Sequence, residues 1–146
     1  MTKLVIDSNI LISTLMNPKG IVGTFLLEDL HHVEKLSCYI LYVEVFDKKE
    51  KIIKYTKLEE GELLEVLYMI LKQINFVNEL QISEESWVEA EELTKDVDVK
   101  DISFVAMAIE VGGVLWTGDK KLIRGLKSKG FEQVVDLEGL KDLIRT

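Results

Sequence analysis

One cysteine, Cys38, and one proline, Pro18, are all that this 146-residue chain holds of either residue. A lone cysteine excludes an intrachain disulfide, a CxxC redox pair and a thiolate zinc cage, and a cytoplasmic location is the expectation. Long apolar runs are missing as well. Leu4-Val5-Ile6 is interrupted at Asp7, and no later run approaches the ~20 residues of a membrane span, so a soluble protein without a membrane partner is expected. Positive charge is in deficit: Asp and Glu number 26 against 18 Lys and Arg, a formal charge of -8. That balance argues against nonspecific nucleic-acid binding over the whole surface, which is driven by cations displacing counterions from phosphates. Two local basic concentrations remain, Lys48, Lys49 and Lys51 with Lys54 and Lys57, and Lys120 and Lys121 with Arg124, Lys127 and Lys129. Each also reads as a solvated helix face.

What is present is a 47% hydrophobic content, enough for a core without staples, and residues 1–146 are expected to form one domain. The spacing predicts a strand from Lys3 to Ile6 and a helix from Ser8 that Asn17-Pro18-Lys19-Gly20 stops. A helix from Ile21 sends Phe25, Leu26 and Leu30 inward. A strand is predicted at Ser37 to Leu41, with a helix from about Tyr42 to Tyr55 behind it. Glu59 to Lys72 carries one apolar stripe, Leu63, Val66, Leu67, Ile70 and Leu71. Further expectations are a strand at Ile74 to Val77, a helix capped by Ser83, and a helix from Asp101 to Gly112 with Ile102, Val105, Ala106 and Ile109 as its buried face. A strand at Val114 to Trp116, a helix from Lys120, a strand at Gln133 to Val135 and a helix from Leu137 complete the chain. Alternating strands and helices predict right-handed crossovers and a three-layer α/β/α sandwich around a central parallel sheet.

Four acids fall at telling places in this pattern. Asp7 and Asp119 close strands, Glu44 begins the helix after a strand, and Asp101 begins the apolar helix before the strand at Val114. All four are expected at one carboxyl edge of the sheet, where open α/β proteins bind ligands. Ionised carboxylates gathered there repel one another, and a bound cation relieves that repulsion. Oxygen donors without cysteine or a histidine pair point to Mg²⁺ or Mn²⁺ rather than zinc. Asn9 and Thr117 are suited to holding a carboxylate in a ligating orientation.

Each acid also has a structural reading. Asp7 and Asp119 can cap the helices that follow them. Asp98 can be an N-cap with Asp101 reaching back to it, and Glu44 can lie on an exposed face beside Lys48 and Lys51.

The runs Leu4-Val5-Ile6-Asp7-Ser8-Asn9-Ile10, Asp101-Ile102-Ser103-Phe104-Val105-Ala106-Met107-Ala108 and Leu115-Trp116-Thr117-Gly118-Asp119-Lys120-Lys121-Leu122, with Glu44 between the first two, resemble the PIN-domain ribonucleases. The resemblance implies a PIN-like parallel sheet and an acidic pocket for one or two Mg²⁺ or Mn²⁺ ions. It implies metal-dependent endonucleolytic cleavage of RNA. By position, Asp7, Glu44, Asp101 and Asp119 match the family's acidic quartet, Asn9 and Thr117 its supporting positions, and Asp98 is placed to assist. Lys48, Lys49, Lys51, Lys120 and Lys121 would then hold the RNA backbone. Many relatives of this size are toxins of VapC-type toxin-antitoxin pairs, commonly dimers silenced by an antitoxin, so an antitoxin and a second copy are implied partners. Others process RNA.

Two other readings stay open on the sequence. Asp7-Ser8-Asn9 resembles the nucleophile loop of haloacid-dehalogenase-type phosphatases and Gly118-Asp119 their late metal-binding acid, although Asn9 stands where that family has its general acid. Alternatively the acids are all caps, and the domain is a noncatalytic binding or scaffold module.

Overall fold

A computed structural model describes residues 1–97 and 101–145. Asp98 lies outside the described residues. Five parallel strands form one sheet, β1 (Thr2–Ile6), β2 (Val33–Cys38), β3 (Asn75–Val77), β4 (Val114–Trp116) and β5 (Val134–Val135), in the order β3-β2-β1-β4-β5. Successive strand residues face opposite sides, yet Leu4, Val5 and Ile6 are all fully buried. Both faces of β1 are therefore covered, as a parallel sheet requires, and the three-layer α/β/α architecture follows.

The helices that make the covering are α1 (Ser8–Met16), α2 (Ile21–Thr24), α3 (Ile40–Asp47), α4 (Lys49–Tyr55), α5 (Glu60–Gln73), α6 (Glu84–Thr94), α7 (Ile102–Val111), α8 (Lys120–Ser128) and α9 (Leu137–Arg145). A π-helical turn, Phe25–Asp29, continues α2. Helix α7 lies across β1, β2 and β4 with α6 packed on it, while α1 gathers α2, α3, α4 and α5. Among the described residues no single helix is long and apolar enough to cross a membrane.

Several boundaries differ from the sequence expectation. β2 begins at Val33 rather than Ser37, and the residues expected to finish that strand, Ile40 and Leu41, instead open α3. Glu44 is thus the fifth residue of its helix, not the first. The helix expected to run to Tyr55 is broken at Lys48 into α3 and α4. In α7 the consecutive residues Phe104 to Ala108 are all buried, while Ile102 and Ile109 are only partly so. Ser83 caps α6 as expected, its hydroxyl accepting the Ser86 N–H.

The strand order sets where the crossovers diverge. The chain lays down β1, β2 and β3 in one direction, then returns to place β4 on the other side of β1, with β5 beyond it. Crossovers diverge between β1 and β4, and such a switch point opens a crevice at the carboxyl ends of the strands. The ladder runs to the brim: Ile6 pairs with Trp116, and the Asp7 N–H donates to the Trp116 carbonyl at 3.1 Å.

Gly112 and Gly113 set β4 in place. Gly112 ends α7 in the left-handed region, φ 64°. At Gly113 an added Cβ would come within 2.6 Å of the Lys3 carbonyl oxygen, so β4 passes β1 where only glycine fits. Gly113→Ala is expected to force this junction apart and cost roughly 1–3 kcal/mol, the usual penalty of overpacking. A thermal melt checks it, and an unchanged midpoint would show that the strands accommodate the methyl group.

Candidate active site

Asp7 follows β1 directly and stands at the N-cap position of α1 with extended backbone, φ -73° and ψ 150°, but its side chain makes no cap bond to that helix. The carboxylate is turned toward the crevice's other strand instead. Its Oδ2 accepts the Thr117 hydroxyl at 2.6 Å and the Asn9 amide at 3.1 Å, and the Ser8 hydroxyl stands 3.5 Å from Oδ1. The capping explanation therefore fails for Asp7.

Asn9 and Thr117 join the two strand ends. The Asn9 Nδ2 donates to both Asp7 and the Thr117 Oγ1, the second also at 3.1 Å, while its Oδ1 accepts the Gly118 N–H at 3.0 Å. Thr117 is fully buried, and its hydroxyl oxygen also accepts the Asp119 N–H at 3.1 Å. The hydroxyl donates once and accepts twice, which uses its whole capacity and fixes its orientation. Gly118 does not take the left-handed backbone conformation, and a Cβ there would meet Asn9 Oδ1 at an ordinary 3.6 Å. The turn is held by the Asn9 amide rather than by glycine freedom.

For Asp119 the capping explanation holds: Oδ1 accepts the Leu122 N–H at 3.1 Å at the start of α8. This bond fixes the carboxylate beside Thr117. Glu44 arrives from α3, its Oε2 accepting the Ser8 hydroxyl, so Ser8 links Glu44 to the Asp7 corner. Nothing in the sequence around Ser8 marked that role, since its partner lies 36 residues away. Asp101 stands on a different element, α7. It holds the N-cap position of α7, partly buried, and makes no cap bond to that helix.

Asp7 is 2% exposed. Burial pushes its pKa from 3.8 up to about 6, the Thr117 hydroxyl bond pulls it down, the charge of Glu44 raises it, the Ser8 backbone N–H lowers it, and Asp119 raises it. Burial thus holds this carboxyl reluctant to ionise, in the fields of two further acids. Among the described residues, no three His, Cys, Asp or Glu side chains are grouped closely enough to hold one metal ion. Asp7, Glu44 and Asp119 are brought to one corner through Ser8 and Thr117, and no cage is closed around it.

The lysines Lys48, Lys49, Lys51, Lys120 and Lys121 are exposed. Lys48 lies one turn beyond Glu44, Lys120 and Lys121 open α8 beside Asp119, and Lys49 Nζ sits 4.3 Å above the Phe46 ring. Cys38, at the end of β2, is buried; burial and the charges of Glu79 and Glu44 push its thiol up, away from the reactive thiolate form.

The family model described as PIN domain matches residues 5–137. No curated protein matches the chain in sequence. Among solved structures, VapBC2 from Rickettsia felis, bound to a DNA fragment from their promoter, superimposes with a TM-score of 0.65 at 15% identity, over 92% of this chain and 98% of that one. PAE2754 from Pyrobaculum aerophilum gives 0.64 at 14% identity, over 99% and 88%. A toxin-antitoxin complex from Klebsiella pneumoniae gives 0.60 at 20% identity, over 90% and 95%. These likenesses are of fold.

Proposed function

The chain belongs to the PIN-domain family, and from that premise we propose that it is a metal-dependent endoribonuclease whose site is the corner of Asp7, Glu44 and Asp119, joined by Asp101 from the start of α7. The observation that carries the reading is Asp7: a buried carboxylate at the switch point of the sheet, released from capping and aimed by Thr117 and Asn9. A scaffold would have no reason to hold a carboxyl in that state. The donor set fits a hard divalent cation, being all oxygen. The four acids would hold one or two Mg²⁺ or Mn²⁺ ions, which when bound supply an activated water and charge relief at the phosphate.

The chain's own residues do the remainder. Thr117 and Asn9 fix the direction of Asp7, Ser8 steadies Glu44, and the Leu122 N–H orients Asp119. Lys48, Lys49, Lys51, Lys120 and Lys121 hold the RNA backbone against the domain's negative charge, which makes binding weaken with salt. Asp98 assists by its nearness to Asp101 in the chain. The phosphatase alternative gains no support, because the Asn9 amide at the general-acid position is bound to Asp7, Thr117 and Gly118.

A VapC-type toxin role accounts for another surface. An apolar groove of about 380 Å³ between α3, α4 and α5 is lined by Tyr42, Phe46, Ile53 and Leu64, all exposed. Such patches mark protein contacts. An antitoxin or a second copy of this chain is the occupant this reading assigns, and a cytoplasmic location accords with it.

Cleavage of labelled RNA, part hairpin and part single strand, tests the enzyme. Cutting with Mn²⁺ or Mg²⁺, none with EDTA, and loss in a folded Asp101→Asn variant are the expected results. Cutting that persists in EDTA and in Asp101→Asn would remove the proposed site.

A further inference from the structure

Helix α3 carries Glu44 to the corner, yet little in the helix itself fixes its direction. Leu41 is the one buried side chain among its eight residues. A single buried anchor sets where a helix sits and leaves it able to pivot. The N-cap position is held by Tyr39, whose side chain makes no cap bond, and the first turn has no acid of its own to meet the unpaired N–H groups. At the other end the helix breaks at Lys48.

What holds the start of α3 comes from the neighbouring strand. β2 and β3 pair through Cys38 and Val77, so the residues that follow the two strands leave the same edge of the sheet side by side. Glu79, two residues beyond β3, turns its carboxylate onto the helix: Oε1 accepts the Tyr39 N–H at 2.8 Å and Oε2 the Ile40 N–H at 3.2 Å. Two charge-assisted bonds to one carboxylate fix a direction as well as a distance. The backbone around Glu79 is itself held, because the Asn78 side chain accepts the Leu80 N–H at 2.9 Å and the Asn78 carbonyl accepts the Gln81 N–H at 2.9 Å. Phe76, on β3, adds a second hold, with the Tyr42 ring stacked on it at 4.6 Å and the Tyr39 ring at 6.0 Å. Leu41 lies between this clamp and Glu44, which stands about 6 Å along the axis from Ile40 at ~1.5 Å per residue, so a tilt at the clamp is carried to the Glu44 carboxylate.

We propose that Glu79 is a positioning residue for Glu44: by clamping the start of α3 from beyond the end of β3, it sets where Glu44 meets Ser8 and the corner. Glu44's part in holding an ion rests on the ribonuclease reading, whereas the link from Glu79 to Glu44 stands on the fold alone.

The whole chain is tested with Glu79→Ala, which removes both bonds, and Glu79→Gln, which keeps one acceptor. Mn²⁺ binding to the RNA-free protein, followed by calorimetry, should weaken about tenfold in Glu79→Ala and less in Glu79→Gln, the scale of loss for groups that orient a metal ligand. In RNA cleavage kcat should fall by a similar factor while KM for RNA is unchanged. Ser83→Ala removes the cap of α6, a helix that carries none of the four acids; it should lower the melting point and leave the Mn²⁺ Kd as it was. Melts in EDTA read the link without metal or RNA. If Glu79 holds Glu44 against Ser8, Glu79→Ala and Ser8→Ala disable one unit, and the double variant should lose roughly 2 °C or more less than the sum of the two single losses. Additive melting shifts would overturn the proposal. A measurable Mn²⁺ Kd that Glu79→Ala leaves unchanged, or that Ser83→Ala weakens equally, would overturn it too. Coupled melts in a protein that binds no Mn²⁺ and cuts no RNA would keep the link from Glu79 to Glu44 and remove the ribonuclease reading, whereas metal-dependent cutting with additive melts would do the reverse.

Discussion

Asp7→Asn should make the metal-free protein more stable at neutral pH while reducing RNA cleavage at least about 100-fold, since changes outside the ligand set alone commonly cost roughly 10–100-fold. The stability half follows from linkage. The folded-state pKa of Asp7 is raised from 3.8 to about 6, mainly by burial. Well below pH 3.8 the carboxyl is protonated in both folded and unfolded chains and contributes no penalty. As pH rises through the interval to 6, the unfolded chain loses its proton first, so folding becomes less favourable. Above 6 both forms are ionised and the deficit is constant, about 3 kcal/mol at ~1.4 kcal/mol per pH unit. An asparagine has no proton to lose, and its carbonyl can accept the same Thr117 and Asn9 bonds. The gain should approach that figure at pH 7.5 and nearly vanish at pH 3. Paired melts of native and variant protein in EDTA at those two values measure it. A variant less stable than the native protein at both would mean that Asp7 is a structural group, and the active-site reading would lose its principal support.

The position of Asp7 could be read from sequence because the strand that carries it is marked locally, although its hydroxyl partner Thr117 lies 110 residues away. Leu4-Val5-Ile6 is an uninterrupted apolar run, and an acid directly after such a run must stand at a strand end. Glu44 was less legible, since the elements before it depend on distant partners. The segment Val33-Glu34-Lys35-Leu36 reads as too charged for an inner strand, yet Lys35 is buried in β2. Its ammonium group reaches the Leu26 carbonyl at 3.4 Å and the Gln73 side chain. Ile40 and Leu41 read as strand, but they begin a helix because the Glu79 carboxylate accepts the N–H groups of Tyr39 and Ile40 at 2.8 and 3.2 Å. A cap supplied by Glu79, some forty residues onward, leaves no local mark.

The same distinction separates the residues of the site. Asp119 shows both of its roles within four residues, closing β4 and capping α8. Ser8 shows nothing of its role, because that role is defined by Glu44 across the fold. In α7 the expected stripe of Ile102, Val105, Ala106 and Ile109 understates the burial. A helix enclosed between the sheet and α6 has little solvent face from which to read a period.

Divalent cations should stabilise the native protein by an amount that the Asp7 variant does not share. Anything that binds only the folded chain adds RT ln(1 + [L]/Kd), which is about 2.7 kcal/mol when the ligand is at a hundred times its Kd. For a chain of this size that corresponds to a melting point higher by roughly 5–10 °C. The cation would also reverse the sign of the local electrostatics: a positive charge beside Asp7 favours the ionised carboxylate that burial, Glu44 and Asp119 now oppose. Metal binding should therefore release protons near pH 6, and the stabilisation should grow as pH rises from 5 to 7.5. Asp7→Asn gains its stability without metal and should show little further increase with it, so the two melting points should converge as Mn²⁺ or Mg²⁺ is raised. A cap-only reading of the acids requires the opposite, a native midpoint indifferent to both ions at millimolar levels and a constant gap to the variant.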